Sequence, residues 1–233
     1  MSRQLRAQGQ RRAIAAHVTR VVIEYQHNDD LVDYLHTYVG QCSVFLEVGA
    51  YGAEFSKRIA SERPDAHIIA LEANPYTHSL LVDSMPEPVE YLNVAACDTD
   101  SPVTFQIMSV VGGAHINQVA GNNSLRVRMH DGIEYESVTV QGKRIDTVLA
   151  ERGLLGAECM VWIDVEGCQD LVLSGGIDTL THTRALMIEV ETHAYWHGQP
   201  LADDIDALLV GAGLTLMARD CEFPDQHNRV YAR

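Results

Sequence analysis

Paired cysteines are what this sequence most plainly lacks. Its 233 residues hold five (Cys42, Cys97, Cys159, Cys168 and Cys221), scattered and odd in number. Zinc knuckles and disulfide frameworks need close, recognisable spacing, so reduced thiols and a cytoplasmic setting are expected. No apolar run approaches the roughly 20 residues that cross a bilayer. Positive charge is short as well: 17 Lys and Arg stand against 32 Asp and Glu, a formal net charge of −15. Five of those cations (Arg3, Arg6, Arg11, Arg12 and Arg20) fall in residues 1–20, which contain no acid. The rest of the chain is therefore more acidic than the total suggests. Such a body repels nucleic acid and anionic membranes, which leaves a small or neutral molecule as the expected partner.

What is present is ordinary globular material, 46% hydrophobic and 21% charged, in a length that suits one domain. The arginine-rich start has the composition of a transit peptide. Apolar residues at helical spacing (Ile14, Val18, Val21, Val22) predict an amphipathic helix there instead. Residues 4–39 read as one or two helices, the second carried by Leu31, Tyr34, Leu35 and Tyr38 after a break at Asn28-Asp29-Asp30. This divides the chain into an N-terminal helical extension, 1–40, and a main domain, 41–233. The apolar faces of the extension could pair in a homodimer.

From residue 44 strands and helices alternate. Strands are expected at 44–48, 67–71, 89–96, 160–165, 185–190 and 214–217, and helices at 53–61, 75–82, 169–173 and 201–209. This alternation indicates an α/β fold, a mostly parallel sheet with helices on both faces. The tail, 214–219 then 228–232, reads as two directly joined strands and predicts an antiparallel C-terminal strand. Between the third and fourth core strands lies a long polar insertion, 100–143, with strand-like runs at 103–108 and 137–140; such insertions are usually functional.

Open parallel sheets bind ligands beyond the carboxyl ends of their strands. At the first such end, Gly49 allows a tight turn and Gly52 a close approach of ligand to backbone. The dinucleotide fingerprint is incomplete, because Tyr51 stands where its second glycine belongs and Ala53 follows Gly52. Glu72, 23 residues beyond Gly49, suits the two hydroxyls of a ribose. Glu47 discourages a pyrophosphate and suits an α-ammonium. S-adenosyl-L-methionine carries an ammonium, a sulfonium and a ribose diol and no phosphate. Ala50, Ala73 and Asn74 complete this expected cofactor site, with Cys97 and Asp98 at the adenine; a turn would account for Asp98 equally well.

Several stretches together carry a family likeness. Phe45-Leu-Glu-Val-Gly-Ala-Tyr-Gly-Ala-Glu-Phe-Ser56, Ala70-Leu-Glu-Ala-Asn-Pro75, Asn93-Val-Ala-Ala-Cys97 and Arg144-Ile-Asp-Thr-Val-Leu149 occur in order. Trp162-Ile-Asp-Val-Glu-Gly-Cys-Gln-Asp-Leu-Val-Leu-Ser-Gly-Gly176 follows and is the most specific. Over residues 42–219 the chain resembles the FkbM-family methyltransferases. The resemblance implies a class I, Rossmann-like methyltransferase that uses S-adenosylmethionine, typically to O-methylate a hydroxyl on a sugar, polyketide or similar metabolite.

Methyl transfer to a hydroxyl needs alignment and removal of a proton. Asp164 and Glu166 end the fourth core strand and are candidates for both, although Glu166 would also suit a helix N-terminus. Glu189, Glu191 and His193 share one face of an extended segment. Imidazole is the side chain whose unperturbed pKa lies near physiological pH, which makes His193 a reasonable base. Asp164, Glu189 and His193 are thus the catalytic candidates. His193 and His197 would bind metal only on a helix, and their segment reads as a loop, so no metal is expected. Tyr195 and Trp196 suit either a substrate wall or loop packing, and Asn123 and Ser124 either a ligand or a turn. Arg126, Arg128, Lys143 and Arg144 suit either an anionic substrate group or a solvated face. Two alternatives stay open: a nicotinamide-dependent oxidoreductase, disfavoured by Tyr51, Ala53 and Glu47, and a non-catalytic cofactor-binding protein.

Overall fold

Strands buried on both faces set the centre of the fold. The computed structural model describes residues 22–233, so the helix expected over the arginine-rich start lies outside the described residues. The first elements are β1 (Ile23–Tyr25), α1 (Asn28–His36), β2 (Val44–Val48), α2 (Glu54–Glu62) and β3 (His67–Glu72). Then come α3 (Pro75–Leu81), β4 (Val89–Asn93), β5 (Ala95–Ala96), β6 (Pro102–Val111), β7 (Ala114–His115) and β8 (Ile133–Lys143). The rest of the chain forms α4 (Ile145–Ala150), β9 (Cys159–Ile163), α5 (Gln169–Ser174) and α6 (Ile177–Thr181). It ends with β10 (Thr183–Glu191), α7 (Ala202–Gly211), β11 (Thr215–Asp220) and β12 (Gln226–Ala232).

The main sheet runs β1-β11-β12-β10-β9-β2-β3-β4. Only β12 is antiparallel, to both β10 and β11, as the directly joined tail predicts. The two-residue period of each strand sends alternate side chains to two separate cores. Val44, Leu46 and Val48 of β2 pack with Val148 of α4, Val172 of α5 and Ile205 of α7. Phe45 faces the other way, with Phe55 and Ile59 of α2 and Leu31 and Leu35 of α1. Each fully buried Leu or Phe contributes roughly 1.5–3 kcal/mol.

Three differences from the sequence reading have local causes. Residues 23–25 form not a helix but a short edge strand, parallel to β11, with Ile23 beside Ala218. The apolar side of α1 is spent within its own chain: Leu31 and Leu35 are fully buried against the sheet, which removes that face from a dimer contact. The strand expected over 89–96 is broken at Val94: β4 pairs with β3, whereas β5 pairs with β8 in a second sheet, β5-β8-β6-β7. That second sheet is the polar insertion, folded as a long antiparallel β6–β8 ribbon beside the ends of β3 and β4.

Candidate functional site

The loop after β2 is forced into an uncommon shape. Gly49 has φ +78°, and Tyr51 and Ala53 are left-handed without being glycine, at φ 43° and 55°. Non-glycine residues held there cost about 1–3 kcal/mol each, and they concentrate at functional sites. Hydrogen bonds hold Tyr51 in place. Its N–H donates to Glu72 Oε2 (2.8 Å), and its carbonyl accepts from the Tyr91 hydroxyl (2.5 Å). The other Glu72 oxygen accepts from Asn74 N–H (2.6 Å). Asn74 caps α3, accepting from Tyr76 N–H (2.9 Å), and ties the insertion down by donating to the Gln118 carbonyl (2.6 Å).

These residues line a first cavity. Gly49, Tyr51, Glu72, Ala73 and Asn74 form one side, Ala95, Ala96 and Phe105 an apolar end, and Asn123, Ser124 and Leu125 the insertion's wall. Asp164 and Glu166, after β9, close it. A second cavity of about 420 Å3 opens on the other side of Asp164, on the face of the sheet that packs against α1. Asp164 lines both and is exposed through them.

Around Asp164 carboxyls crowd together. Burial, with repulsion from Asp164, pushes Glu189 up to about 10. Asp164 itself is raised to about 6 by burial, opposed by a hydrogen bond from the Glu189 carboxyl. Glu189 is therefore the member of the pair that holds its proton more tightly. Burial, with help from Asp164, raises Glu166 to about 8, and burial raises Glu191 to about 7. Arg128 opposes both shifts, with Nη2 3.6 Å from Glu166. The same guanidinium lies over the Trp196 ring, 4.7 Å from its centroid. Trp196 in turn is almost fully buried against Gly167 (φ +77°), where a Cβ would come within 2.5 Å of the indole. Ser124 Oγ donates to the Glu166 carbonyl (2.6 Å), and Arg126 pairs with Asp170 (2.8 Å). The insertion and the segment after β9 are thus fastened together.

Of the residues proposed from sequence, Gly49, Glu72, Ala73, Asn74 and Asp164 meet in the first cavity, with Asn123, Ser124 and Glu166. Glu189 is brought to Asp164 but on the second cavity's side. The remaining candidates line neither cavity. Glu47 points the same way as Phe45, toward α2, where Oε2 accepts from Ser56 N–H (2.8 Å) and caps that helix; burial raises it to about 7. Ala50 is buried with Ala53, Ala70 and Tyr91. Gly52 has no close approach to require it: a Cβ would meet only the Glu54 side chain, at 3.3 Å. Cys97 is buried and Asp98 exposed, because the chain has already crossed to the second sheet at Val94. His193 is exposed beside Tyr195, since β10 ends at Glu191 and the chain turns away where Thr192 N–H meets the Asp225 carbonyl (2.8 Å). Arg126, Arg128, Lys143 and Arg144 are engaged with Asp170, Glu166, Glu151 and Asp100 and line neither cavity. Sequence reasoning missed Phe105 and the whole second cavity, whose walls come from opposite ends of the chain.

The first cavity can be tested for the cofactor it would take. Among the described residues it is lined by no lysine, arginine or histidine, so a dinucleotide's pyrophosphate would find no countercharge. A carboxylate offers about four acceptor positions, and Glu72 uses two of them, leaving capacity for a ribose diol. Burial raises the carboxyls around Asp164, and among the described residues Arg128 is the cation that opposes the shifts, so further positive charge would be favoured. An ammonium and a sulfonium would supply it.

A family model described as the methyltransferase FkbM domain matches residues 39–223. The chain belongs to the FkbM methyltransferase family. The FkbM assignment makes S-adenosylmethionine its cofactor, in agreement with the cavity, and the nicotinamide alternative is not favoured. Among curated proteins, the 2-O-methyltransferase NoeI of Sinorhizobium fredii (strain NBRC 101917 / NGR234) is 26% identical over 174 residues, covering 71% of this chain and 70% of that protein. A crystal structure of a methyltransferase FkbM from Methylobacillus flagellatus KT superposes with a TM-score of 0.51 at 11% identity. It covers 87% of this chain, which spans half the length of that one.

Proposed function

We propose that this protein O-methylates a hydroxyl of a small polar metabolite, with Asp164 as the residue that orients the hydroxyl and receives its proton. The carrying observation is the position of Asp164 in the wall common to both cavities. When bound, S-adenosylmethionine supplies a methyl carbon already activated by its sulfonium. In this reading Glu72 holds the ribose and the Ala95, Ala96 and Phe105 end holds the adenine. The acceptor reaches the methyl from the second cavity. Its oxygen bonds to the methyl carbon as the carbon–sulfur bond breaks, and its proton passes to Asp164. Protonated Glu189 keeps Asp164 ionised and aimed. The name of the NoeI relative, a 2-O-methyltransferase, supports oxygen as the accepting atom.

Two measurements test this. A thermal shift with S-adenosylmethionine, S-adenosylhomocysteine and NAD side by side should show stabilisation by the first two, about 2.7 kcal/mol at 100 times the dissociation constant. A response to NAD alone would sink the reading. With an acceptor in hand, Asp164→Asn should lower kcat by about 10²–10⁴-fold. A variant with unchanged kcat means that the proton leaves by another route.

A further inference from the structure

Along four neighbouring strands the α1 side of the sheet changes character at the same level. Met160 and Trp162 lead to Asp164, Ala185 and Met187 to Glu189, Val230 to Asn228, and Ala218 to Asp220. The strands lie side by side in the order β9-β10-β12-β11, and Glu189 is the register partner of Asn228. Asn228 in turn donates to Asp220 from its side chain (3.0 Å). A single polar row therefore crosses the floor of the second cavity, starting at Asp164. Its rim adds Asn28 and Asp29 from the start of α1 and Glu222 from the β11–β12 turn.

The chemistry of this lining is one-sided. Among the described residues it holds five carboxyl side chains against one histidine, His27, and neither lysine nor arginine. Among the described residues, two acceptor atoms on lining residues, Glu189 Oε2 and Asn28 Oδ1, have no hydrogen-bond partner. At the rim Glu222 Oε2 accepts from Asn28 N–H (3.1 Å). Unpaired acceptors call for donors, and a field of one sign draws in the opposite charge. A volume of about 420 Å3 falls in the range of small-molecule pockets.

Resting on the methyltransferase reading above, we propose that the acceptor is an amine-bearing polyol of amino-sugar type. Its ammonium is held by Glu222 and Asp29 at the rim, and one of its hydroxyls reaches Asp164. The five carboxyls of the lining disfavour an acceptor carrying a carboxylate or phosphate.

The test uses the S-adenosylhomocysteine complex of the full chain, titrated with three disaccharides: glucosamine dimer, its N-acetylated counterpart and a uronic acid dimer. The amine form should bind about tenfold more tightly than the N-acetylated form, the difference made by hydrogen bonds to charged groups. The uronate should bind weakest. Glu222→Gln and Asp29→Asn should each remove most of the amine preference, with the S-adenosylhomocysteine thermal shift retained as proof of folding. Equal affinities, preferred uronate binding, or no binding by any of the three would overturn the proposal while the cofactor response stands. Loss of the cofactor response in the wild-type protein would overturn the functional reading and this one with it.

Discussion

Gly49 lies so close to the end of β9 that a Cβ on it would come within 1.8 Å of the Asp164 carbonyl oxygen. The cofactor loop and the proposed catalytic carboxylate are therefore placed by one backbone contact, and Asp164 N–H returns it by donating to the Val48 carbonyl (2.9 Å). Gly49→Ala combines a clash with a left-handed φ. It should destabilise the protein by about 3 kcal/mol or more, read as a lower urea midpoint.

Glu72 fixes two loops at once, through Tyr51 and Asn74. Glu72→Ala should weaken S-adenosylhomocysteine binding by roughly 10–100-fold, the worth of hydrogen bonds to a charged group. His193→Ala, at an exposed position outside both cavities, should leave that affinity within about twofold. Calorimetric titration of both variants checks the pair. Equal losses would remove the distinction.

Stability should depend on pH in an unusual direction. Unfolded carboxyls ionise near their ordinary values, whereas the folded chain holds Asp164 to about 6, Glu47 and Glu191 to about 7, Glu166 to about 8 and Glu189 to about 10. The folded state then binds more protons, so its stability falls as pH rises from about 5 to 8. Asp100, held down to about 2 by its hydrogen bonds from Arg144, is ionised throughout and adds no slope there. Melting temperatures across this window check the sign, and Glu189→Gln should flatten the slope.

The same charge deficit predicts a difference between cofactor and product. S-adenosylmethionine carries a sulfonium that S-adenosylhomocysteine lacks. Its relative affinity should therefore rise between pH 6 and 8, as Asp164 and Glu166 ionise. Parallel titrations at the two pH values measure the ratio, and a constant ratio would falsify the electrostatic account.

Arg128→Gln would leave Glu166 without its countercharge and Trp196 without its cover. Glu166 should then hold its proton to still higher pH, followed by its carboxyl NMR signal, with a Tm loss smaller than that of Trp196→Ala. Truncating that buried indole costs about 3–5 kcal/mol.

How legible was all this in the chain? Strands β2, β3, β9 and β10 announce themselves because burial on both faces demands unbroken apolar runs, and their carboxyl ends locate Gly49, Glu72 and Asp164. Side-chain direction is harder. Glu47 sits one residue from Val48 in sequence yet faces the other layer, so its carboxylate reaches α2 rather than the ligand. Three-residue β1 carries no periodicity and exists only because residues 218–220 lie beside it. Cys97 and Asp98 follow a strand that has already crossed to the second sheet, and His193 lies where the chain turns away after Glu191. The second cavity had no local signal, because Asn28 and Glu222 become neighbours only after folding.

The edge strand β1 has a consequence for how such proteins diversify. It brings residues 27–29 to the β11–β12 turn, so the second cavity, apart from the shared Asp164, is walled by segments that contribute nothing to the first. On the proposed reading, substitutions there retune what is methylated while the methyl-donor half keeps its residues. Exchanging 22–29 together with 220–228 between relatives is then a modular graft, in which substrate choice travels with the two segments and cofactor affinity stays behind.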